Sequence, residues 1–316
     1  MSDSSSTAAP SRAALFTAFA LVYLIWGSTY LVMKFAVASM PPLLMAGTRY
    51  AMAGGLLYGF MRWRGEPAPT LRGWGYAVFI GVCLLGFGNG GTTLGVMYLP
   101  SGITALLVAT VPMFLAVLGW LSGISARPTK WVALGLGAGM TGMYLLAAHP
   151  TATAVKEPGH QGLGMGIVLL ASLVWSIGSL YAKNHQPAPS PFASGGIQML
   201  CGGVAMLIVG FVRGEADGFT LAQVTTKSWV AYVYLVTFGS IVAFTAYIWL
   251  LRAVEPALAG TYAFVNPVVA VLLGWAFAGE SLNPEMLGGA ALIVLAVALV
   301  LLGGRKVGAG PAPARH

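Results

Sequence analysis

The chain is written twice, and the unit that repeats holds an odd number of apolar runs. Moving residues 1–75 forward by 149 positions sets Trp26 on Trp175, Lys34 on Lys183, Pro42 on Pro191, Gly47 on Gly196 and Gly54 on Gly203. Arg64-Gly65-Glu66 then lands on Arg213-Gly214-Glu215. Further along, the offset becomes 155, where Trp74 meets Trp229, Pro112 meets Pro267, and Gly119-Trp120 meets Gly274-Trp275. The apolar runs are residues 14–33, 42–61, 74–96, 101–122 and 131–148, then 162–181, 192–212, 229–250, 257–278 and 286–303. A helix crosses the hydrocarbon core of a bilayer in about 20 residues, so each run reads as one span. After five crossings the chain is on the other side of the membrane. The second copy therefore enters from the opposite face, inverted about an axis in the membrane plane.

Composition removes the soluble alternative. Of 316 residues, 58% are hydrophobic and 8% charged, where soluble domains carry about 25% charged. The net charge of +8 is a topology signal and does not imply a nucleic-acid partner. One side of the ten-span arrangement collects Arg12, Arg62, Arg64, Arg72, Arg127, Lys130, Lys183, Arg252, Arg305, Lys306 and Arg315, while the other holds Lys34, Lys156, Arg213 and Lys227. Basic residues concentrate on the cytoplasmic side. The predicted fold class is all-α integral membrane: ten transmembrane helices as two inverted five-helix repeats, with N- and C-termini cytoplasmic. Residues 1–13 form a disordered tail, 14–148 the first repeat, 149–161 a Pro- and Gly-containing linker, 162–303 the second repeat and 304–316 a second tail. The first apolar run is too long for a cleaved signal peptide and corresponds to an internal span. Cys83 and Cys201 lie within apolar runs, so no disulfide framework is indicated. No stretch is left for a soluble nucleotide-binding domain, which excludes ATP-driven transport within this chain.

In folds of this kind the substrate site lies near the midplane between the repeats, so polar and helix-breaking residues at that depth are the candidates. Pro112 and Pro267 fall near the middle of the fourth span of each copy. A proline there removes a helical hydrogen bond and predicts a hinge or kink. Arg49 is the one charge well inside a span, expensive there and a binding candidate for an anionic group such as a carboxylate; the plain alternative is snorkelling to the surface. Its counterpart Gln198 could face it across the cavity. Trp26 and Tyr30 share one helix face, as do Trp175 and Ser179; with Tyr262 they could form walls for an apolar side chain. Packing between helices explains Thr92 and Thr93 well enough. Asn89 and Asn266 are harder to dismiss, because an amide has four bonding positions to satisfy. Lys34 and Lys183 close their spans and read as snorkelling to the headgroups. Gly86-Phe87-Gly88-Asn89-Gly90-Gly91 resembles a phosphate loop only superficially and indicates close helix approach, as do Gly91 with Gly95 and Gly135 with Gly139.

What is missing is also informative. His149, His160, His185 and His316 lie in connections or the tail, and no acidic pair sits within a span. No metal site, cofactor or intramembrane enzyme is therefore expected. A proton-coupled antiporter would place a titratable group in its path, so facilitated movement without ion coupling is the expectation.

Trp26-Gly27-Ser28-Thr29-Tyr30, Pro41-Pro42, Pro100-Ser101-Gly102 and Asn266-Pro267-Val268-Val269-Ala270, set in ten spans, resemble the EamA-type transporters of the drug/metabolite transporter superfamily over residues 15–303. That resemblance implies a bacterial inner-membrane exporter of amino acids, aromatic and other, or related small metabolites, working by alternating access. It transfers no residue roles. The site expectation stays Trp26, Tyr30, Arg49, Asn89, Trp175, Ser179, Tyr262 and Asn266, with a small-molecule substrate, the lipid bilayer as the other partner, no nucleic acid, and a monomeric chain. The rivals are a broad-specificity drug exporter of the same fold, a nucleotide-sugar transporter, which should hold several basic residues in the cavity, and an intramembrane enzyme.

Overall fold

A computed structural model describes residues 11–99, 104, 107–147, 160–278 and 284–305. The expected tails beyond these limits, most of the linker, the Pro100-Ser101-Gly102 motif and the side chains of Tyr30 and Lys34 lie outside the described residues. Within them the chain is helical, with no strand. The helices are α1 (Arg12–Ala36), α2 (Pro42–Trp63), α3 (Leu71–Gly81), α4 (Gly90–Tyr98), α5 (Val111–Leu121), α6 (Lys130–Ala147) and α7 (Gln161–Asn184). They continue as α8 (Pro191–Val212), α9 (Thr226–Tyr234), α10 (Ala243–Ala253), the single turn α11 (Pro256–Ala259), α12 (Tyr262–Ala278) and α13 (Pro284–Arg305). Five stretches are long and apolar enough to cross a membrane: Arg12–Thr29, Leu71–Gly95, Gly162–Asn184, Pro191–Val212 and Thr226–Ala253.

Local chemistry sets the helix ends. Ser11, Thr70, Ser190 and Thr225 each accept a backbone N–H three residues on, at 3.0–3.2 Å, satisfying a donor that the first turn leaves free. Pro42, Pro191 and Pro256 start helices where no N–H is needed. The repeated Arg-Gly-Glu is a stop signal. Gly65 and Gly214 adopt φ of +90° and +73°, and the next residue returns its N–H to a carbonyl five back, Glu66 to Met61 and Glu215 to Gly210, both at 3.0 Å.

The stretches Leu71–Gly95 and Thr226–Ala253 are each continuous but change winding. Val82–Asn89 and Leu235–Val242 are π-helical, each eight residues long and starting 153 positions apart (235 − 82). We label them π1 and π2. The prolines behave differently from the expected mid-span kinks. A turn at 109–110 breaks the apolar run 101–122, and Pro112 sits in the first turn of α5, where its missing N–H costs nothing. Pro267 does lie within a helix, while the break in its span falls earlier, between α11 and α12.

The two halves interleave. Helix α1 packs chiefly on α9, α10 and α12 of the second half, and α7 packs chiefly on π1, α4 and α5 of the first. The most extensive contact joins α2 to α8, followed by α6 to α13. The α2–α8 seam is glycine-lined; a Cβ on Gly54 would collide with the Leu200 backbone. Backbones approach this closely only through small residues, the usual basis of helix association in lipid. The exchange of first helices carries Trp26 and Trp175 to the junction of the halves.

Candidate functional site

Helix α2 buries Arg49 to 2% exposure, so it does not snorkel. Its Nε donates to the Ser240 hydroxyl of π2 at 2.9 Å, its Nη2 donates to the Tyr50 hydroxyl, and its Cζ lies 4.2 Å from the Tyr50 ring centroid. Nη1 has no partner. Among the described residues no carboxylate binds it. Neutral oxygens and a ring face offset part of the desolvation of a buried guanidinium, and an anion would offset more.

The π segments hold the two tryptophans. A π turn shifts the backbone hydrogen-bond register, which can free a carbonyl for a side-chain donor. Trp26 Nε1 donates to Gly239 O in π2 at 3.0 Å, while the Trp175 ring lies against Gly88 in π1. Trp175 Nε1 donates to the Tyr247 hydroxyl at 3.1 Å. The Ser179 hydroxyl donates to Trp175 O at 2.8 Å, so at the 2.7 Å contact between the two hydroxyls Tyr247 is the donor. Trp26, Trp175, Tyr247 and Tyr262 form one cluster in which every pair of ring centroids lies 4.7–6.5 Å apart, the favoured range for edge and tilted packing.

Above this cluster is a cavity of about 100 Å³, in the half of the bundle nearer the α1–α2 connection. Six expected residues line it: Trp26, Arg49, Asn89, Trp175, Tyr262 and Asn266. Val111 and Asn266, which the repeat matches, both line it, each directly before its proline. Ser179 does not; its hydroxyl is committed to Trp175 and Tyr247. Gln198 is also absent from the lining; it is buried in α8, where its backbone runs against Gly81 of α3. Lys183 departs from the snorkelling expectation, because its Nζ donates to Val254 O at 2.7 Å and caps the C-terminus of α10. Arg252 likewise binds a backbone carbonyl, donating to Pro189 O in the α7–α8 connection at 3.0 Å.

Sequence reasoning missed Thr29, Tyr50 and Ser172 in the lining and Ser240 and Tyr247 behind it. One signal was available. Ser240 and Tyr247 are polar groups seven apart within the apolar run 229–250. No group of three or more potential metal ligands occurs among the described residues.

With this geometry in hand, comparison with known proteins is decisive at the level of family. The EamA-like transporter family model matches residues 13–148 and again residues 162–302. The chain belongs to this family. It is therefore a membrane transporter, and its apolar helices are those of a multi-pass membrane protein. It is 41% identical over 290 residues to the uncharacterized inner membrane transporter YedA of Escherichia coli, covering 92% of this chain and 91% of YedA. It is 24% identical over 296 residues to a probable amino-acid metabolite efflux pump of Salmonella typhimurium, covering 90% of this chain and 94% of that protein. A crystal structure with 16% sequence identity shares the fold, with a TM-score of 0.75 over 94% of this chain and 99% of the other.

Proposed function

We propose that the protein is a secondary transporter of the bacterial inner membrane that exports amino acids, aromatic ones among them, or related small metabolites by alternating access. The observation that carries this reading is the cavity itself, lined by a buried arginine whose Nη1 has no partner among the described residues and by the rings of Trp26, Trp175 and Tyr262. An apolar pocket with a few convergent polar groups suits a small amphiphile. The relative in Salmonella supports the substrate class. The two family matches, the paired π segments and the exchanged first helices support two related halves, which we take to be inverted, with both termini cytoplasmic.

Alternating access requires the ring cluster beneath the cavity to part during the cycle. Among the described residues no carboxylate, histidine or lysine lines the cavity, which favours movement down the substrate gradient without ion coupling. A broad-specificity drug exporter could use the same rings, but a buried guanidinium repels the cationic compounds such pumps commonly carry. Proteoliposomes containing the protein should take up at least one labelled common amino acid with saturation. Absence of saturable uptake across the whole set refutes the reading.

A further inference from the structure

Three side chains that line this cavity carry a buried polar atom with no partner among the described residues: Arg49 Nη1, Asn89 Oδ1 and Asn266 Oδ1. Buried polar atoms in folded proteins are overwhelmingly paired, and each exception asks for an explanation. Here one exception is a cationic donor and two are acceptors, and all three belong to side chains that line a single void.

The repeat shows that the fold does not require them. Arg49 corresponds to Gln198 and Asn266 to Val111; Asn89 corresponds to Val242 by its place at the end of the π segment and to Phe244 by the offset of 155, both apolar. The equivalent backbone positions in the other half are built with a neutral or apolar side chain. The polar groups are therefore available for a ligand, and their chemistry restricts it. A phosphate or dicarboxylate would satisfy Arg49 but bring no donor to the two amide oxygens. A cation would satisfy the oxygens but meet the guanidinium. A ligand carrying a carboxylate and an ammonium on neighbouring atoms satisfies all three.

We propose that the cavity reads both ends of an α-amino acid zwitterion: Arg49 takes the carboxylate, and Asn89 and Asn266 take the ammonium. The inference rests on the amino-acid reading above and narrows it, because metabolites lacking either charge are excluded. The Trp26, Trp175 and Tyr262 rings then face the side chain.

The test uses the full-length protein in proteoliposomes, with whichever common amino acid it transports best as the labelled probe. Unlabelled probe should inhibit at its own KM. Its methyl ester, which lacks the carboxylate, and its N-acetyl derivative, which lacks the ammonium, should each inhibit about 10- to 100-fold more weakly, the range for losing a hydrogen bond to a charged group. In Asn266→Leu the handicap of the N-acetyl compound should shrink while that of the ester persists; in Arg49→Gln the pattern should reverse. The analogue measurements on the unaltered protein stand even if a variant fails to fold. Robust amino-acid transport with both analogues inhibiting within about threefold of the probe, well under the loss expected for one such bond, overturns the zwitterion site and leaves amino-acid export standing. No transport of any common amino acid overturns the parent reading and this one with it.

Discussion

Removing one oxygen at Tyr247 tests whether the ring cluster is a hydrogen-bonded unit or only a packed one. Tyr247→Phe keeps a ring at the 5.2, 5.6 and 5.4 Å separations from Trp26, Trp175 and Tyr262. It deletes the acceptor for Trp175 Nε1 and the donor to Ser179. Ser179 still has Trp175 O. The indole N–H of Trp175, itself only 8% exposed, is left with no partner. An orphaned buried donor costs about 1–3 kcal/mol in water-soluble proteins, while side-chain hydrogen bonds in membrane proteins average about 0.6 and reach about 1.7 kcal/mol. The expected destabilisation is therefore about 1–2 kcal/mol, measured by denaturant unfolding in mixed micelles with tryptophan fluorescence as the probe. Ser179→Ala leaves the Trp175–Tyr247 bond in place and should cost less. The double variant should cost less than the sum of the singles, because both remove the same Tyr247–Ser179 bond. An effect of Tyr247→Phe below about 0.3 kcal/mol, within the error of additivity, would refute the network and leave only ring packing.

Further predictions follow from the same geometry. Glu215 Oε2 accepts the backbone N–H groups of Leu43 and Leu44 at 2.8 and 3.0 Å, so Glu215→Gln should destabilise the protein by about 0.3–1 kcal/mol through loss of the charge at the α2 N-terminus; unfolding in mixed micelles at low and high salt measures it. Gly54→Leu should abolish folded protein, since the α2–α8 seam has no space for it, whereas Gly55→Ala, with nothing within 4 Å of the added carbon, should behave as wild type; monodispersity after detergent extraction distinguishes them. Uptake into proteoliposomes should be indifferent to an imposed pH gradient, and a clear acceleration by a gradient of either sign would show that a proton-carrying group has been overlooked.

Much of the fold was legible along the chain because the deciding interactions are local. Ser190 followed by Pro191 announces a helix start, and Arg213-Gly214-Glu215 announces its end, by chemistry within a few residues. The apolar runs place α1, α2, α7 and α8 to within a few residues of their observed limits. At the site, Trp26, Arg49, Asn89, Trp175, Tyr262 and Asn266 stood out because polar or aromatic groups deep in an apolar run are costly without a purpose. Tyr247 and Ser240 were not singled out, since their importance lies in what they touch. The π segments also escaped notice: they arise where a helix yields to its neighbours, and the glycines of Gly86-Phe87-Gly88 and the single Gly239 permit that without demanding it.

The sequence alone determined that the chain is a duplicated, membrane-embedded helical protein, because period, composition and charge asymmetry are one-dimensional properties that the bilayer reads directly. Only the tertiary structure decided that the halves exchange their first helices, that Arg49 rather than Gln198 faces the cavity, and that Lys183 caps a helix instead of reaching for headgroups. Each of those outcomes depends on contacts between residues far apart in the chain. Identical depths in two related halves are distinguished only when packing assigns one of them a void.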